Sequence, residues 1–251
     1  MAQRTWLTLL ALQFSAIILF AQPVRYPDST LVDGRERVFV FRELSMTILS
    51  IHGGFDFLFT PKNVSPVSAV ARRGKYRFMI NASFFDNERL NAGHAGWLRI
   101  LGKTYAPLRH DNQLTHILRY DTTSGKVSIV SWQNFLPHND NHSIEFQTGP
   151  LIVDNDSVAH ALIAGSVNGL GKYTRTLLAV CDEREMFFIT VRKPIALDEL
   201  ARYLLSLSIF QKRRLEVLNL DGGPSVAFFS RAFSRLNYNV NDRLPLLLGV
   251  R

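Results

Sequence analysis

The chain has very little cysteine: Cys181 is the single one among 251 residues. No intramolecular disulfide can therefore form. Cys181 ends the apolar run TLLAVC, which predicts a buried strand, and we expect it to pack as a small apolar side chain rather than act as a nucleophile or metal ligand. Stability must come from the core, and a hydrophobic content of 47% is enough for one large domain or two small ones.

The sequence also lacks internal repeats, long low-complexity tracts and a convincing metal-ligand spacing. Of its seven histidines, His138 and His142 have a spacing used by metal sites, but their segment PHNDNHS has the composition of an exposed loop and not of the helix that such a zinc pair requires. We expect neither a metal nor another cofactor. His94, in NAGHAGW, is interpreted as an ordinary loop histidine, with an accessible acid or base as the alternative.

Acidic residues are fewer than basic ones, 21 against 29, which gives a formal net charge of +8. A basic surface favours anionic partners. The basic residues are scattered, as in ARRGKYR and QKRRLE, without an aromatic-interleaved stripe of the kind that binds nucleic acid, and most of them are expected to be simply solvated. We therefore expect a phosphorylated or otherwise anionic glycan as partner and no nucleic acid.

The N-terminal segment has Arg4 followed by an apolar stretch from Trp6 to about Ala21. This stretch of about 15 residues is closer to the apolar region of a secretion signal than to the ~20 residues of a membrane-spanning helix. We predict that residues 1–21 are a signal peptide for export to the periplasm or the extracellular space. Residues 22–251 are predicted to be a single domain with no stable membrane insertion after cleavage; an uncleaved anchor is the alternative.

From Val38 onward, short apolar runs alternate with turn clusters, which predicts many strands. DTTSG between THILRY and KVSIV, and CDERE between TLLAV and MFFITV, each predict a hairpin. The clearest helix covers residues 197–210, where leucines recur at helical spacing, and Lys212 to Arg214 follow where cations suit a helix C-terminus. The strand, helix, strand order at this point predicts an α+β fold with a mixed, largely antiparallel β-sheet core and a few flanking helices.

The segment LNLDGGPS, Leu218 to Ser225, follows an apolar run that predicts a buried strand. Asn219 and Asp221 alternate with leucines, so their side chains are expected on one face of the strand end. Gly222 and Gly223 allow a tight turn and a close approach of backbone amides to a ligand. The pattern is typical of a simple turn, and a binding site is the alternative.

Two further segments contain candidate site residues. Asn81 stands inside the apolar strand of MINASFFDN, where a buried amide either satisfies backbone groups or faces a ligand. Arg175 follows the glycine-containing loop NGLGK and precedes a buried strand. It is either a surface arginine or a fork that holds a phosphate.

Five segments in this order, INASFFD, QTGPLIVD, YTRTLLAV, LDELARYLLSL and LNLDGGPS, resemble the phosphodiester glycosidase family from about Arg77 to Phe229. The positions that match the family's pattern are Asn81 to Phe85, Gly149 and Pro150, Asn168 with Arg175 and Thr176, and Leu220 to Ser225. Three positions depart from it, since Ser83 and Ala179 stand where glycine is usual and Pro224 replaces the third glycine of the turn. Pro224 also removes one backbone donor.

The resemblance implies hydrolysis of the bond between the anomeric carbon of a sugar and a phosphodiester oxygen, which releases free sugar and leaves a phosphomonoester. It implies catalytic roles for three residues: Asp221 as the carboxylate near the sugar centre, Arg175 as the phosphate clamp and Asn81 as an orienting amide. The residues expected to bind substrate are Asn219, Gly222, Gly223, Ser225, Thr176 and Gly149.

Alternatives remain open at this point. Asp86 and Asp182 could each serve as a second carboxylate. The same pocket could recognise a phosphorylated polysaccharide without cleaving it, during envelope or exopolysaccharide biogenesis, or the fold could serve a different hydrolase. The oligomeric state is not predicted.

Overall fold

The computed structural model describes residues 23–59, 65–86, 93–137, 140–163 and 169–251. The predicted signal peptide at residues 1–21 lies outside the described residues. Within the described part of the chain, no helix is both long and apolar enough to cross a membrane.

The described residues form strands that we number β1 to β19 along the chain. Their bounds are Ser29–Asp33, Glu36–Phe41, Met46–Ile51, Asp56–Phe59, Phe78–Asn81, Phe85–Asp86, Gly93–His94, Leu98–Ile100, Lys103–Ala106, His116–Asp121, Val127–Ser131, Ser143–Thr148, Leu151–Asp154, Ser157–Val158, Tyr173–Cys181, Glu185–Ile195, Leu215–Asn219, Phe228–Ser230 and Leu246–Val250. The helices are α1, Val67–Arg73; α2, His160–Ile163; and α3, Leu197–Leu205.

The largest sheet has the strand order β1-β2-β3-β16-β15-β17-β13-β14. Its centre is the long hairpin of β15 and β16, which confirms the hairpin predicted around CDERE. β15 is buried on both faces, since Leu178 and Val180 belong to one core cluster and Leu177, Ala179 and Cys181 to another. A strand covered on both faces shows a continuous apolar run instead of alternation.

Helix α3 covers the outer face of this sheet. Leu200, Ala201 and Leu204 pack in the same cluster as Leu177 and Ala179. The helix connects β16 to β17, which lie on either side of β15 and are both antiparallel to it. The predicted helix is therefore confirmed, and it carries the chain across β15.

The predicted end of this helix is wrong. α3 ends at Leu205, where the Ser206 hydroxyl donates to the carbonyl oxygen of Tyr203 at 2.7 Å. Lys212 to Arg214 therefore lie beyond the helix end, and Arg213 instead pairs with Asp182 and Glu185. Arg213 and Arg214 therefore pair with acidic residues at the turn of the β15–β16 hairpin.

Two smaller sheets pack against the other face of the large one. Their strand orders are β11-β10-β12-β8-β9 and β18-β5-β19-β4, and β6 pairs with β7. The hairpin predicted around DTTSG is confirmed as β10 and β11. The shared core contains Phe78 and Ile80 of the four-stranded sheet, Phe146 of the five-stranded sheet and Phe188 of the large sheet. The fold is thus α+β with a sheet-dominated core, as predicted, and the strand ladders within the described ranges are antiparallel.

Cys181 is fully buried. Burial is the main cause that raises the pKa of its thiol to about 12. A thiol that stays protonated at neutral pH is a poor nucleophile and a poor metal ligand. The interpretation of Cys181 as a small apolar core residue is confirmed.

Candidate functional site

The turn Asp221–Ser225 follows β17 and lies against the beginning of β15. Leu220 donates its N–H to the carbonyl oxygen of Thr176 at 2.8 Å, and the Thr174 hydroxyl donates to the carbonyl oxygen of Gly223 at 2.8 Å. A Cβ atom at Gly222 would lie 2.8 Å from the carbonyl oxygen of Thr174. Glycine is therefore required at position 222 because β15 passes too close for a side chain.

Gly223 to Ser225 form a single 3-10 turn, and Pro224 falls in its first residues. The first N–H groups of such a turn have no partner within it, so a proline there removes no internal hydrogen bond. Gly223 has a φ of +59°, a conformation that glycine adopts without strain. Pro224 is consequently compatible with the turn, although one backbone donor is lost.

The Asp221 carboxyl is largely buried in this turn. Its Oδ1 accepts a hydrogen bond from the N–H of Gly222 at 2.9 Å. Burial raises the pKa of Asp221 to about 6, against the lowering effects of the Ser225 hydroxyl and the Gly222 amide. The carboxyl is therefore poised to change its charge close to neutral pH.

Arg175 lies next to the turn, since a Cβ atom at Gly222 would be 3.8 Å from its Cδ. It is only 7% exposed. Its Nη2 donates to the carbonyl oxygen of Gly171 at 2.5 Å, and its Nε lies 3.3 Å from the carbonyl oxygen of Ile195. Burial lowers its pKa, but a guanidinium stays charged in proteins. Arg175 forms no ion pair with any of the described residues, so none of these supplies the anionic partner that a buried charge normally has.

Asn219 ends β17 and is 3% exposed. Its Nδ2 donates to the carbonyl oxygen of Gly149 at 3.1 Å. The backbone carbonyl oxygen of Asn219 accepts a hydrogen bond from the Thr148 hydroxyl at 2.8 Å. Its side-chain oxygen Oδ1 is buried and has no partner among the residues described. A buried acceptor without a donor is unusual and calls for an explanation.

Asn81 and Thr176 lie behind the turn. The Nδ2 of Asn81 donates to the carbonyl oxygen of Asp221 at 2.7 Å, while its Oδ1 accepts from the Thr176 hydroxyl at 2.6 Å and from the N–H of Ala227 at 3.1 Å. These contacts use the whole amide and fix the backbone of Asp221. Asn81 and Thr176 thus position the turn, and a direct contact of either with substrate stays a prediction.

A cavity of about 500 Å³ opens in front of these residues. It brings together six of the nine residues predicted to be catalytic or to bind substrate: Asp221, Arg175, Asn219, Gly149, Gly222 and Gly223. The other lining residues are Phe84, Ala95, Arg109, Asp111, Gln113, Leu114, Pro150, Tyr173, Leu197 and Pro224. Asn81, Thr176 and Ser225 are not among the described residues that line it, although the Ser225 hydroxyl contacts the Asp221 carboxyl.

Sequence reasoning missed the irregular segment 107–114 on one side of the cavity, which we call the rim segment. Arg109 pairs with Asp111 at 3.5 Å, and Asp111 also accepts the N–H of Gln113 at 2.7 Å. Gln147 of β12 holds the segment in place. Its Oε1 accepts the N–H of Arg109 at 3.0 Å, and its Nε2 donates to the carbonyl oxygens of Arg109 and Leu114 at 2.7 and 2.8 Å.

The structure narrows the choice of a second carboxylate. Asp182 follows the last residue of β15, at the end opposite to Arg175, where it pairs with Arg213, so it is too far from Asp221 to act with it. Asp86 belongs to β6, and its side chain lies outside the described part. Asp111 lines the cavity and replaces Asp182 as a candidate.

His94 is buried and does not line the cavity. Its Nδ1 lies 3.0 Å from the carbonyl oxygen of Gly96, and burial lowers its pKa to about 4. This position removes the alternative of an accessible acid or base. His138 and Asn168 lie outside the described residues, and the described part contains no group of three or more histidine, cysteine, aspartate or glutamate side chains that could hold a metal.

A family model described as phosphodiester glycosidase matches residues 74–247. Among solved structures, the catalytic domain of zebrafish N-acetylglucosamine-1-phosphodiester alpha-N-acetylglucosaminidase, auto-inhibited by its pro-peptide, is similar in fold, with 14% identity and a TM-score of 0.61 over 89% of this chain and 81% of that one. A protein of Burkholderia pseudomallei K96243 described as exported has 11% identity and a TM-score of 0.54 over 81% and 73% of the two chains.

A hypothetical protein from Synechocystis has 12% identity and a TM-score of 0.50 over 89% of this chain and 61% of that one. No curated protein matches the sequence. Identities this low show a shared fold alone, whereas the family model covers more than half of the chain. The chain belongs to the phosphodiester glycosidase family.

Proposed function

We propose that the protein is an exported glycosidase that hydrolyses a sugar-1-phosphodiester. One observation carries the proposal: the buried Arg175, which has no ion-pair partner among the described residues, lines the same cavity as Asp221. A buried cation with no counter-ion among the described residues suits a phosphate, and a carboxylate that lines the same cavity suits the positive charge that develops on a sugar ring. Family membership supports the same reaction class.

In the proposed reaction, the bond between the anomeric carbon and the phosphodiester oxygen breaks, and the phosphomonoester leaves with the electron pair. A water oxygen forms the new bond to the anomeric carbon, and the proton that this water loses goes to the released phosphate or to solvent. The Asp221 carboxylate stabilises the oxocarbenium-like transition state, and Arg175 stabilises the charge on the departing phosphate. Because a phosphate is a good leaving group, a strong general acid is needed less than for an ordinary glycoside.

The test is release of reducing sugar from α- and β-linked sugar-1-phosphodiesters by the mature chain. We expect hydrolysis of at least one anomer, a loss of several orders of magnitude in kcat for Asp221→Asn, and a large rise in KM for Arg175→Gln. Asp182→Asn is the matched control, since this carboxylate lies at the far end of β15. An Asp221→Asn variant as active as the control would contradict the assignment.

A second candidate function is recognition of a phosphorylated glycan without cleavage. The observation that favours it is Pro224, which lines the cavity without the N–H that a glycine would provide. Tight binding of sugar phosphates with no sugar released, in both the wild type and Pro224→Gly, would establish this function in place of hydrolysis. Hydrolysis by Pro224→Gly alone would show that the substitution at 224 ended catalysis.

Export is tested separately. The proposal expects cleavage of the chain close to Ala21 and recovery of the product outside the cytoplasm, which N-terminal sequencing of the secreted protein measures. The exported description of the structurally similar Burkholderia pseudomallei protein supports this expectation. Retention of residues 1–21 on the membrane-bound protein would instead favour the uncleaved anchor.

A further inference from the structure

The net positive charge of the chain is concentrated on the four-stranded sheet. This sheet, helix α1 and the turns beside them comprise residues 56–59, 65–81 and 226–251, which contain eight basic and two acidic residues. Their formal charge of +6 compares with +7 for residues 22–251, because Arg4 is the only charged residue before position 22. Nearly all of the net charge therefore belongs to one part of the fold.

The strand register brings three arginines together at one end of this sheet. Phe78 of β5 pairs with Ser230 of β18 on one side and with Val250 of β19 on the other. The residues that adjoin these three positions at the end of the sheet are Arg77, Arg231 and Arg251. Arg231 donates its N–H to the carbonyl oxygen of Arg77 at 2.9 Å, so the two residues are neighbours.

Further basic residues reach the same end of the sheet. The last turn of α1 and the turn that leads from it into β5 contain Arg72, Arg73 and Lys75. Arg235 lies in the loop that follows Arg231, because this loop returns to pair Tyr238 with Phe228. We use the term basic end for the five exposed cations at this place: Arg72, Arg73, Lys75, Arg231 and Arg235.

The acidic residues that contact this end of the sheet are already paired. Asp33 and Glu36 pair with Arg77, and Asp56 pairs with Arg251. Within the described ranges, none of the five residues of the basic end forms an ion pair. Exposed cations without carboxylate partners produce a positive potential that attracts anions.

The basic end is separate from the cavity. Asn81, which donates to the carbonyl oxygen of Asp221, lies at the other end of β5. At about 3.3 Å per residue, the chain from Arg77 to Asn81 spans about 13 Å. None of the five residues of the basic end is among the described residues that line the cavity. A partner can therefore bind here without filling the cavity.

The chemistry of the basic end favours a charged polymer over a single anion. An ion pair between exposed groups contributes little on its own, whereas a chain with an anion on each unit contacts several of these cations at once. The described residues of this sheet and helix expose no large apolar side chain. Membrane-binding surfaces insert such side chains into the lipid interface, and single-stranded nucleic acid stacks on exposed aromatic rings.

We propose that the basic end binds an anionic polysaccharide, a chain that carries phosphate or carboxylate groups along its length. The site holds the protein on this polymer through several weak ion pairs and leaves the cavity accessible. It does not depend on the proposed hydrolysis, because the polymer at the basic end need not be a substrate.

The test is binding to phosphorylated dextran, with uncharged dextran of the same length as control. We expect the wild type to bind only the phosphorylated chain, with an affinity that falls steeply as the salt concentration rises because bound counter-ions are released. Inorganic phosphate at the same total phosphate concentration should compete poorly. No binding to phosphorylated dextran at low salt, or competition by inorganic phosphate as strong as by the polymer, would overturn the proposal.

A triple variant removes charge from one side of the basic end. Arg72→Gln, Arg73→Gln and Lys75→Gln together should weaken binding about 10-fold or more and lower the slope of log Kd against log salt concentration by about 2 to 3. The second variant, Arg231→Gln with Arg235→Gln, removes charge from the other side of Arg77. It should also weaken binding, and it serves if the triple variant does not fold.

The matched control removes three exposed positive charges from other parts of the surface: Lys103→Gln, Lys193→Gln and Lys212→Gln. It lowers the net charge by the same amount as the first triple variant, and we expect less than about a 3-fold change in affinity, since a local cluster and not the net charge binds the chain. Equal losses in the two triple variants would overturn the site.

Two further measurements distinguish the basic end from other modes of binding. Arg175→Gln, in the cavity, should bind phosphorylated dextran as the wild type does, and a loss of binding would place the polymer in the cavity instead. Vesicles of phosphatidylglycerol and phosphatidylcholine, and duplex DNA of mixed sequence, are the other probes. Tighter binding to either than to phosphorylated dextran would overturn the polysaccharide as partner.

Discussion

Asp221 is a carboxyl on which burial and hydrogen bonding act in opposite directions. Burial disfavours its charged form, whereas the Gly222 amide and the Ser225 hydroxyl favour it, and the net effect is a pKa raised from 3.8 to about 6. Catalytic acids and bases often have pKa values shifted toward neutral pH by burial. Titration of Asp221 therefore makes the stability of the protein depend on pH, and the proposed hydrolysis would depend on pH through the same residue.

The first prediction concerns the rate. If the charged form of Asp221 acts on the sugar centre, kcat/KM rises with pH and reaches half its plateau at about pH 6, because kcat/KM reports the free enzyme. The measurement is kcat/KM for a phosphodiester from pH 4.5 to 8. Binding of an uncleavable sugar phosphonate over the same pH range is the control, since it reports anion binding by Arg175 without the cleavage step. A rate that falls as pH rises through 6 would show that the protonated acid is the active form.

The second prediction concerns stability. Because the folded-state pKa of Asp221 is raised, the folded state binds more protons than the unfolded state between about pH 4 and 6, and the free energy of unfolding falls as pH rises through this window. Asp221→Asn avoids this loss and should be more stable than the wild type at pH 7, by up to about 3 kcal/mol, with the difference vanishing below about pH 4. Urea unfolding at both pH values measures it; equal gains at pH 4 and pH 7 would exclude titration of Asp221 as the cause.

At the scale of the elements, strand β12 supports the cavity through one side chain. Gln147 is fully buried and also accepts the N–H of Trp97 at 2.9 Å, so it joins the rim segment to the residue that precedes β8. The wall formed by Arg109 and Asp111 has no regular structure and depends on these bonds for its position.

The third prediction follows from this support. Gln147→Ala removes the hydrogen-bond partner of the Arg109 and Trp97 N–H groups and of the Arg109 and Leu114 carbonyl oxygens. We expect a loss of at least about 2 kcal/mol in unfolding free energy together with a higher KM. Faster amide exchange at Arg109 and Trp97 is the signature of a loosened segment. Gln133→Ala, at an exposed glutamine, should change neither quantity, and normal exchange at Arg109 in Gln147→Ala would contradict the positioning role.

The fourth prediction concerns the closeness of the turn to β15. In Gly222→Ala the new methyl group meets the carbonyl oxygen of Thr174, a backbone atom that cannot rotate away. We expect a destabilisation of about 1 to 3 kcal/mol and a fall in kcat/KM as Asp221 shifts. Thermal unfolding and kinetics measure both effects. Gly93→Ala in β7, where a Cβ meets nothing within 4 Å, should stay near wild-type stability.

The sequence predicted elements best where the signal was local. The run TLLAVC, which predicts a buried strand, lies within β15, Tyr173–Cys181, because a continuous apolar run marks a strand that is buried on both faces. The sequence analysis missed strand β12 because its Glu145 and Gln147 are residue types usually found on the surface. Glu145 is buried in an ion pair with Arg119, and Gln147 is buried in hydrogen bonds with the backbone of Arg109. Those partners are distant in sequence, so no local pattern announces them.

The distinction between local sequence signals and contacts distant in sequence also applies to the site. The turn at Asp221 and the arginine at 175 were identified through motifs that lie within a few residues. Arg109 and Asp111 reach the cavity only because the five-stranded sheet packs against the large one. Nothing in the sequence around Arg109 marks it as a lining residue.

At the scale of the whole molecule, Cys181 is a natural reporter of global opening. It is buried between α3 and the large sheet, with its pKa raised to about 12. The fifth prediction is that a thiol reagent at pH 7.5 labels the folded protein only at the rate of unfolding, and at once in denaturant. The dependence of the labelling rate on denaturant concentration tests this prediction. Rapid labelling of the native state would instead show local opening at the C-terminal end of β15.

The contacts around the turn have a consequence for the order in which the molecule assembles. Asn81 reaches Asp221 across 140 positions of sequence, and Ser83 reaches Gln147 across 64. Contacts so distant in sequence form late in folding because long loops must close first. If the protein binds a sugar phosphate as proposed, this binding should return during refolding after the strand signal in circular dichroism. Ligand binding would then report the completed molecule and not its separate sheets.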